Sequence, residues 1–188
     1  MNGYDFDKTI YINDSTQDFF KFILKRNKRV RRMLPYLGMH FLRYGLKLIS
    51  KEEFKEIFYS FLKYVPNLKE EVKAFWDTHE KGIKPWYLDM QKENDLIISA
   101  SPSFLLEEIF KRLKIKNFLC SEVDTKTGKL LSPNCYGKEK VVRFNEAYKG
   151  VELDSFYSDS MSDLPMFKIA KKAYFVKGNK IKEIDVHV

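Results

Sequence analysis

The pattern of apolar and polar positions changes character along the chain. The opening segment, "GYDFDKTIY", runs through apolar positions to a pair of acids, Asp5 and Asp7, and reads as a strand that ends there. From Asp18 to Val65, apolar positions such as Leu34, Leu37, Phe41, Gly45 and Leu48 recur at three and four, which predicts helices, with Pro35 and Gly38 splitting the stretch. "SKEE" places Ser50 as N-cap with Glu53 three residues on, opening a helix through Phe54, Ile57, Phe58 and Phe61. Pro66 and Asn67 end it and cap the next, "LKEEVKAFWDTHEKG".

From Asp95 the period is that of buried strands alternating with helices. "DLIISAS" is a short apolar run of the kind found in parallel sheets, and "SPSFLLEEIFKRL" follows as a helix with Ser101 as N-cap and Pro102 in its first turn. The strand "KNFLCSEVD", the turn "TKTGK", the helix "GKEKVVRFNEAYKG", the strand "DSFYSDS", the helix "SDLPMFKIA" and the strand "KAYFVKG" complete the alternation. The order predicts an α/β fold: a doubly wound, mainly parallel, Rossmann-like sheet built from residues 1–14 and 80–188, with residues 15–79 inserted as an α-helical cap.

A chain of 188 residues, 44% of them hydrophobic, is long enough for one sizeable core with an inserted subdomain. Its two cysteines, Cys120 and Cys135, form no CxxC pair and, with no secretory leader legible, are expected to be reduced thiols of a cytoplasmic protein. His40, His79 and His187 form no spaced cluster. The most apolar stretch, Met33 to Ile49, is shorter than the roughly 20 residues of a spanning helix and contains Arg43 and Lys47. The net charge of +8 is concentrated: Lys21 to Lys51 holds ten Lys or Arg residues and no acid. Such a surface favours an anionic partner, either a phosphorylated substrate or, weakly, an acidic membrane face. No aromatic motif of a nucleic-acid reader accompanies it, so nucleic acid is not an expected partner.

Candidate chemistry gathers at strand ends, where open parallel sheets bind their ligands. Asp5 and Asp7, two apart on a strand, lean to one face and repel unless a cation joins them. Ser99 ends "LIIS", Lys140 opens the helix after "CYG", and Asp159 and Asp163 follow "SFYS". The set suits phosphoryl transfer, in which positioning and charge neutralisation dominate. Mg²⁺, a cation that takes oxygen ligands and keeps waters, would join Asp5, Asp159 and a main-chain carbonyl. One ionised Asp could attack phosphorus and a second manage the proton. Ser99 and nearby backbone amides, at Ala100 and Ser101, could donate to the phosphoryl oxygens while a lysine neutralises them.

"DFDKT", "IISAS", "GKEKV" and "YSDSMSDLPM", in this order from residue 5 to about residue 167, resemble motifs one to four of the haloacid dehalogenase-like phosphohydrolases. The helical insertion between motifs one and two is similar to that of the subgroup containing phosphoserine phosphatase. The resemblance implies an Mg²⁺-dependent phosphomonoester hydrolase acting on a small phosphorylated metabolite through an aspartyl phosphate. It implies Asp5 as nucleophile and metal ligand, and Asp7 as general acid/base whose main-chain carbonyl binds the metal. It further implies Thr9 as a support of the Asp loop, Ser99 as phosphate donor, Lys140 rather than Lys138 as the motif-three lysine, Asp159 as metal ligand, and Asp163 as partner of metal and lysine. "ISAS" stands where phosphoserine phosphatases carry "SGG", which points away from phosphoserine as substrate.

Within the cap, Asp14 at its entry, and Arg43 and Lys47, which with His40 follow three-and-four spacing, are the expected substrate contacts. A phospholipid headgroup at a membrane surface is the alternative substrate. From other classes come a receiver-like domain, opposed by the DxD pair and the long insertion, and a non-catalytic phosphate-binding protein, opposed by the full set of catalytic residue types.

Overall fold

In the computed structural model, which describes residues 1–186 and so leaves His187 outside, the chain runs β1 (Asn2–Tyr4), α1 (Ser15–Arg26), α2 (Lys28–Arg31), α3 (Leu34–Gly45), α4 (Lys51–Tyr59), α5 (Leu68–His79) and α6 (Pro85–Met90). It continues through β2 (Leu96–Pro102), α7 (Ser103–Arg112), β3 (Asn117–Ser121), α8 (Lys138–Ala147), β4 (Leu153–Ser158), α9 (Leu164–Ile169), β5 (Ala170–Lys177) and β6 (Lys180–Ile184). The strands form one sheet in the order β3-β2-β1-β4-β5-β6, parallel except for the β5–β6 pair.

Side chains that alternate across each strand divide the core into two layers. Ile97 and Tyr157 join the layer built with Phe19, Phe75 and Trp76 of α1 and α5, whereas Leu96, Ile98 and Phe156 join the layer with Phe144, Met166 and Phe167 of α8 and α9. Helices therefore cover both faces, as a doubly wound sheet requires. Tyr4, Tyr157 and Tyr174 stack across β1, β4 and β5 with ring centroids 4.7 Å and 4.6 Å apart, a cross-strand ladder over the centre. Gly3, a poor strand residue by propensity, is covered by the Phe156 ring, which a Cβ would meet at 2.9 Å, so the glycine admits the ring that holds β1 to β4.

The helical stretch between β1 and β2 is tied to the rest of the chain. Trp76 Nε1 donates to the Leu105 carbonyl (2.7 Å), and Leu130 N donates to Glu56 Oε1 (3.0 Å). Gly128, at φ +78°, lies so close to Tyr59 that a Cβ would come within 2.6 Å of its backbone.

Ser50 caps α4 as expected, accepting from Glu53 N at 3.0 Å. Four local readings differ. Pro35 lies in the first turn of α3 and Gly38 within it, so neither breaks the helix; a proline is tolerated where its missing N–H would be unpaired anyway. Asn67 holds the N-cap position of α5 without a side-chain cap bond. Ser101 belongs to β2, and Pro102 holds the N-cap position of α7. β6 was not anticipated: it returns through a turn at Gly178 (φ +60°), and its Lys-rich sequence suits an exposed edge strand.

Candidate active site

The strand order reverses direction between β1 and β4, which places the loops after these two strands at the switch point where doubly wound sheets open a crevice. Asp5 follows β1 immediately, with its N–H donating to the Tyr157 carbonyl at 2.9 Å. The loop behind it is tight. Ile10 N and Tyr11 N both donate to the Phe6 carbonyl (2.9 Å each), and Lys8 takes a left-handed conformation at φ +58°. Lys84, 3% exposed, donates its ammonium to the carbonyl of Lys8 and to that of Gly178 (2.7 Å), tying the loop to the β5–β6 turn.

Lys140 binds the buried charges together. Its ammonium donates to Asp5 Oδ1 (2.7 Å) and Asp163 Oδ2 (2.8 Å), with Lys140 and Asp163 each 2% exposed. Burial alone would lower the Lys140 pKa, but Asp5 and then Asp163 reverse this and hold it above the ordinary lysine value. For Asp5, burial is the largest influence and pushes the carboxyl up to about 7, with Lys140 pulling against it. Lys138 is exposed in the first turn of α8, so Lys140 is the lysine that reaches the acids. Asp163 stands at the N-cap position of α9 but makes no cap bond; its Oδ2 accepts from Lys140 and from Ser158 Oγ (2.8 Å).

Thr9 joins the two strand ends. Its hydroxyl donates to Asp5 Oδ2 (3.3 Å) and accepts from Asp159 N (2.9 Å). Asp7 belongs to a second network: Oδ1 accepts from Ser15 N (2.7 Å) and Oδ2 from Ser101 Oγ (2.5 Å), and Thr16 Oγ1 lies 2.9 Å from Ser101 Oγ. Burial, then the nearby Asp14 charge, pushes the Asp7 carboxyl up to about 6, against the hydrogen bonds from Ser101 and Ser15. Ser101, read as a helix cap, instead donates to the second acid, because β2 extends through it. Ser99, expected to face phosphate, is 1% exposed and accepts from Ser101 N (3.1 Å), so it shapes the loop while Ala100 and Ser101 reach the cleft.

The cleft has a volume of about 660 Å³ and takes in Asp5, Asp7, Lys140, Asp159 and Asp163 on the sheet side. Its other wall includes Asp14, Thr16, Phe41, Lys51, Lys55 and Phe58. Asp14 thus lines it, as expected, and also caps α1 by accepting from Gln17 N (2.9 Å). Arg43 and Lys47 do not line it: Arg43 is exposed, and Lys47 lies past the end of α3 at φ +58°, off the helical face assumed for it. The cations on this wall of the cleft are Lys51 and Lys55, spaced four apart on α4, while Lys8 and Lys140 line its sheet side. Lys55 donates to the Ala100 carbonyl (2.8 Å) and Asn134 Oδ1 (2.6 Å), and burial followed by repulsion from Lys51 lowers it to about 8. Their four-residue spacing was visible in the sequence; the burial of Lys84 was not. A smaller hollow of about 250 Å³ beside β5 and β6 contains none of these groups.

Among the described residues, no three or more His, Cys, Asp or Glu side chains converge on a metal position. Mg²⁺ does not need them, since it is commonly held by one or two carboxylates and waters. The donors present fit that mode: Asp5 and half-buried Asp159 line one cleft, and Asp163 Oδ1 is buried with no hydrogen-bond partner.

A family model for haloacid dehalogenase-like hydrolases matches residues 3–168. The chain belongs to that family. Among solved structures, the hydrolase is similar to a Bordetella pertussis Tohama I protein of unknown function, at 20% identity and TM-score 0.77 over 92% of this chain and 87% of that one. It also resembles a phosphoserine phosphohydrolase-like protein from Francisella tularensis, at 16% identity and TM-score 0.57 over 92% and 86% of the two chains. A probable phosphoserine phosphatase from Vibrio cholerae matches at 14% identity and TM-score 0.64, over 92% of this chain and 55% of that one. These likenesses establish the fold of the hydrolase. No curated protein matches its sequence.

Proposed function

We propose that this hydrolase cleaves phosphomonoesters of small phosphorylated metabolites through an aspartyl phosphate on Asp5, with Mg²⁺ as cofactor. The observation that carries the reading is the pair of separately held acids after the central strand, Asp5 on Lys140 and Asp7 on Ser101 and Ser15, opening into one cleft. Asp5 attacks phosphorus, forming the O–P bond as the ester P–O bond breaks, and Asp7 gives its proton to the departing oxygen. Water then attacks the acyl phosphate, Asp7 takes the water's proton, and inorganic phosphate leaves with Asp5 regenerated. An acid raised to about 6 suits both roles, because near neutrality it holds or releases a proton at small cost. Lys140, fixed against Asp5, offsets charge on the transferring group. Mg²⁺, held by Asp5, Asp159 and the main-chain carbonyl of Asp7 with Asp163 alongside, would supply charge neutralisation at the phosphoryl oxygens.

Residues 15–79 act in this reading as a cap whose Lys51, Lys55 and aromatic side chains meet the leaving group. A phosphate carried on a lipid headgroup is a second reading, favoured by Phe41, which lines the cleft yet is 62% exposed.

The test is phosphate release from a panel of phosphomonoesters, with and without Mg²⁺, by the wild type and by Asp5→Asn. Release that needs both Mg²⁺ and Asp5 is expected. Equal release by a folded Asp5→Asn protein would overturn the assignment of the nucleophile.

A further inference from the structure

Helix α3 is apolar nearly all round, a pattern that in globular proteins belongs to a buried helix. It is not buried. Only Leu37 and His40 of its twelve residues are fully covered. Pro35, Met39, Leu42 and, one residue past its end, Leu46 follow at intervals of four, three and four, so they share one face, and all four are exposed. Leu42 is 67% exposed and Leu46 71%, and Leu34 and Leu48 extend the apolar surface at either end. Exposed apolar area of this extent marks an interaction surface.

Charge says what it meets. Lys28, Arg29, Arg31 and Arg32, which lead directly into α3, are exposed and have no acidic partner among the described residues, unlike Lys21 and Arg26, which pair with Asp18 and Glu71. Arg43 and Lys47 add two further exposed cations at the helix's C-terminal end, and the span contains no acid. Neighbouring apolar and basic side chains with no acid between them complement an anionic lipid surface. At 1.5 Å per residue the helix is about 18 Å long, against a hydrocarbon core of about 30 Å, so it fits a position on a bilayer and not across it. No helix among the described residues is long and apolar enough to span.

We propose that α3 and the basic turn before it form a docking surface for an anionic lipid bilayer. The docked face borders the active cleft, because Phe41 of α3 lines that cleft. The proposal stands apart from the hydrolase reading, since binding is measured without turnover.

The experiment is co-sedimentation with vesicles of phosphatidylglycerol and phosphatidylcholine, beside vesicles of phosphatidylcholine alone. It uses the wild type, Leu42→Glu/Leu46→Glu and Arg31→Gln/Arg32→Gln, with thermal melting and size-exclusion chromatography as checks of fold and assembly. All four substituted side chains are exposed, so the variants are expected to melt with the wild type. The proposal requires binding to the anionic vesicles that falls about tenfold or more in the leucine variant, and falls in the arginine variant. Three results would overturn it: no wild-type binding at low salt, unchanged binding by the folded leucine variant, or a wild-type dimer that the leucine variant makes monomeric, which would assign the face to a second copy of the chain.

Discussion

Replacing Lys140 with Met removes the one cation between two buried carboxylates and leaves a side chain of similar length. Lys140 and Asp163 are 2% exposed and Asp5 is 12% exposed, so water does little to replace the lost partner. Breaking a buried ion pair from one side costs about 3–5 kcal/mol. At about 2–4 °C per kcal/mol for a chain of this size, the midpoint of thermal unfolding should fall by about 6–20 °C. The loss should depend on pH. Burial already pushes Asp5 up to about 7 against the pull of Lys140, and without the lysine it rises further. A carboxyl raised on folding binds more protons in the folded state than in the unfolded one. Its contribution to stability is complete below the unfolded value of about 4 and is lost as pH climbs through the folded value. Lys140→Met should therefore lose least near pH 5 and most near pH 8. Thermal melting measures the midpoint, and urea unfolding in EDTA at the two pH values, followed by the fluorescence of Trp76 and Trp86, measures the pH dependence. A loss under about 1 kcal/mol near pH 8, or equal losses at the two pH values, would refute the charge balance described for the site.

Ser101→Ala removes the 2.5 Å hydrogen bond to Asp7 and should raise that acid further above 6, by roughly one unit. The alkaline limb of the pH–rate profile, where protonated Asp7 runs out, then moves to higher pH; an unmoved limb would remove Asp7 as the proton donor. Lys55, lowered by burial to about 8, loses its charge above that pH, so KM for an anionic phosphomonoester should rise there in the wild type. Lys55→Met should lower kcat/KM by about ten- to a hundredfold, from about 1.5–3 kcal/mol for a hydrogen bond to a charged group, and abolish the rise in KM.

The parts of the site that proved legible in the sequence are those in which residue type and strand end coincide. Asp5, Asp7, Lys140, Asp159 and Asp163 each follow a strand or open a helix, and a parallel sheet brings those ends together whatever the lengths between them. Lys140 was separable from Lys138 because "GKEKV" fits the motif-three pattern better at Lys140, and the structure buries that lysine while leaving Lys138 exposed. Ser101 was misjudged because Ser-Pro before an apolar helix is a good capping signal, and only the extension of β2 to Pro102 turns its hydroxyl toward Asp7. Lys47 was misplaced because helical spacing was carried past the point where α3 ends, and Arg43, within α3, because spacing alone does not say which face of a helix meets the cleft. Lys84 could not be found from sequence, since its partners are two main-chain carbonyls, one of them at Gly178 near the far end of the chain.

The central position of β1 has a consequence for how the molecule opens. Asp5 hangs from a strand paired on both sides, with its own amide bonded to Tyr157, so hydrogen exchange at that amide waits on disruption of the sheet itself. Helix α3, with two covered residues in twelve, exchanges through local fraying at a far smaller cost. Asp5, the proposed nucleophile, is thus anchored in a part of the chain that opens only with the sheet, and the apolar helix beside the cleft in one that opens locally. Substitutions on the outer face of that helix can therefore change its surface while Asp5 stays in register with the sheet.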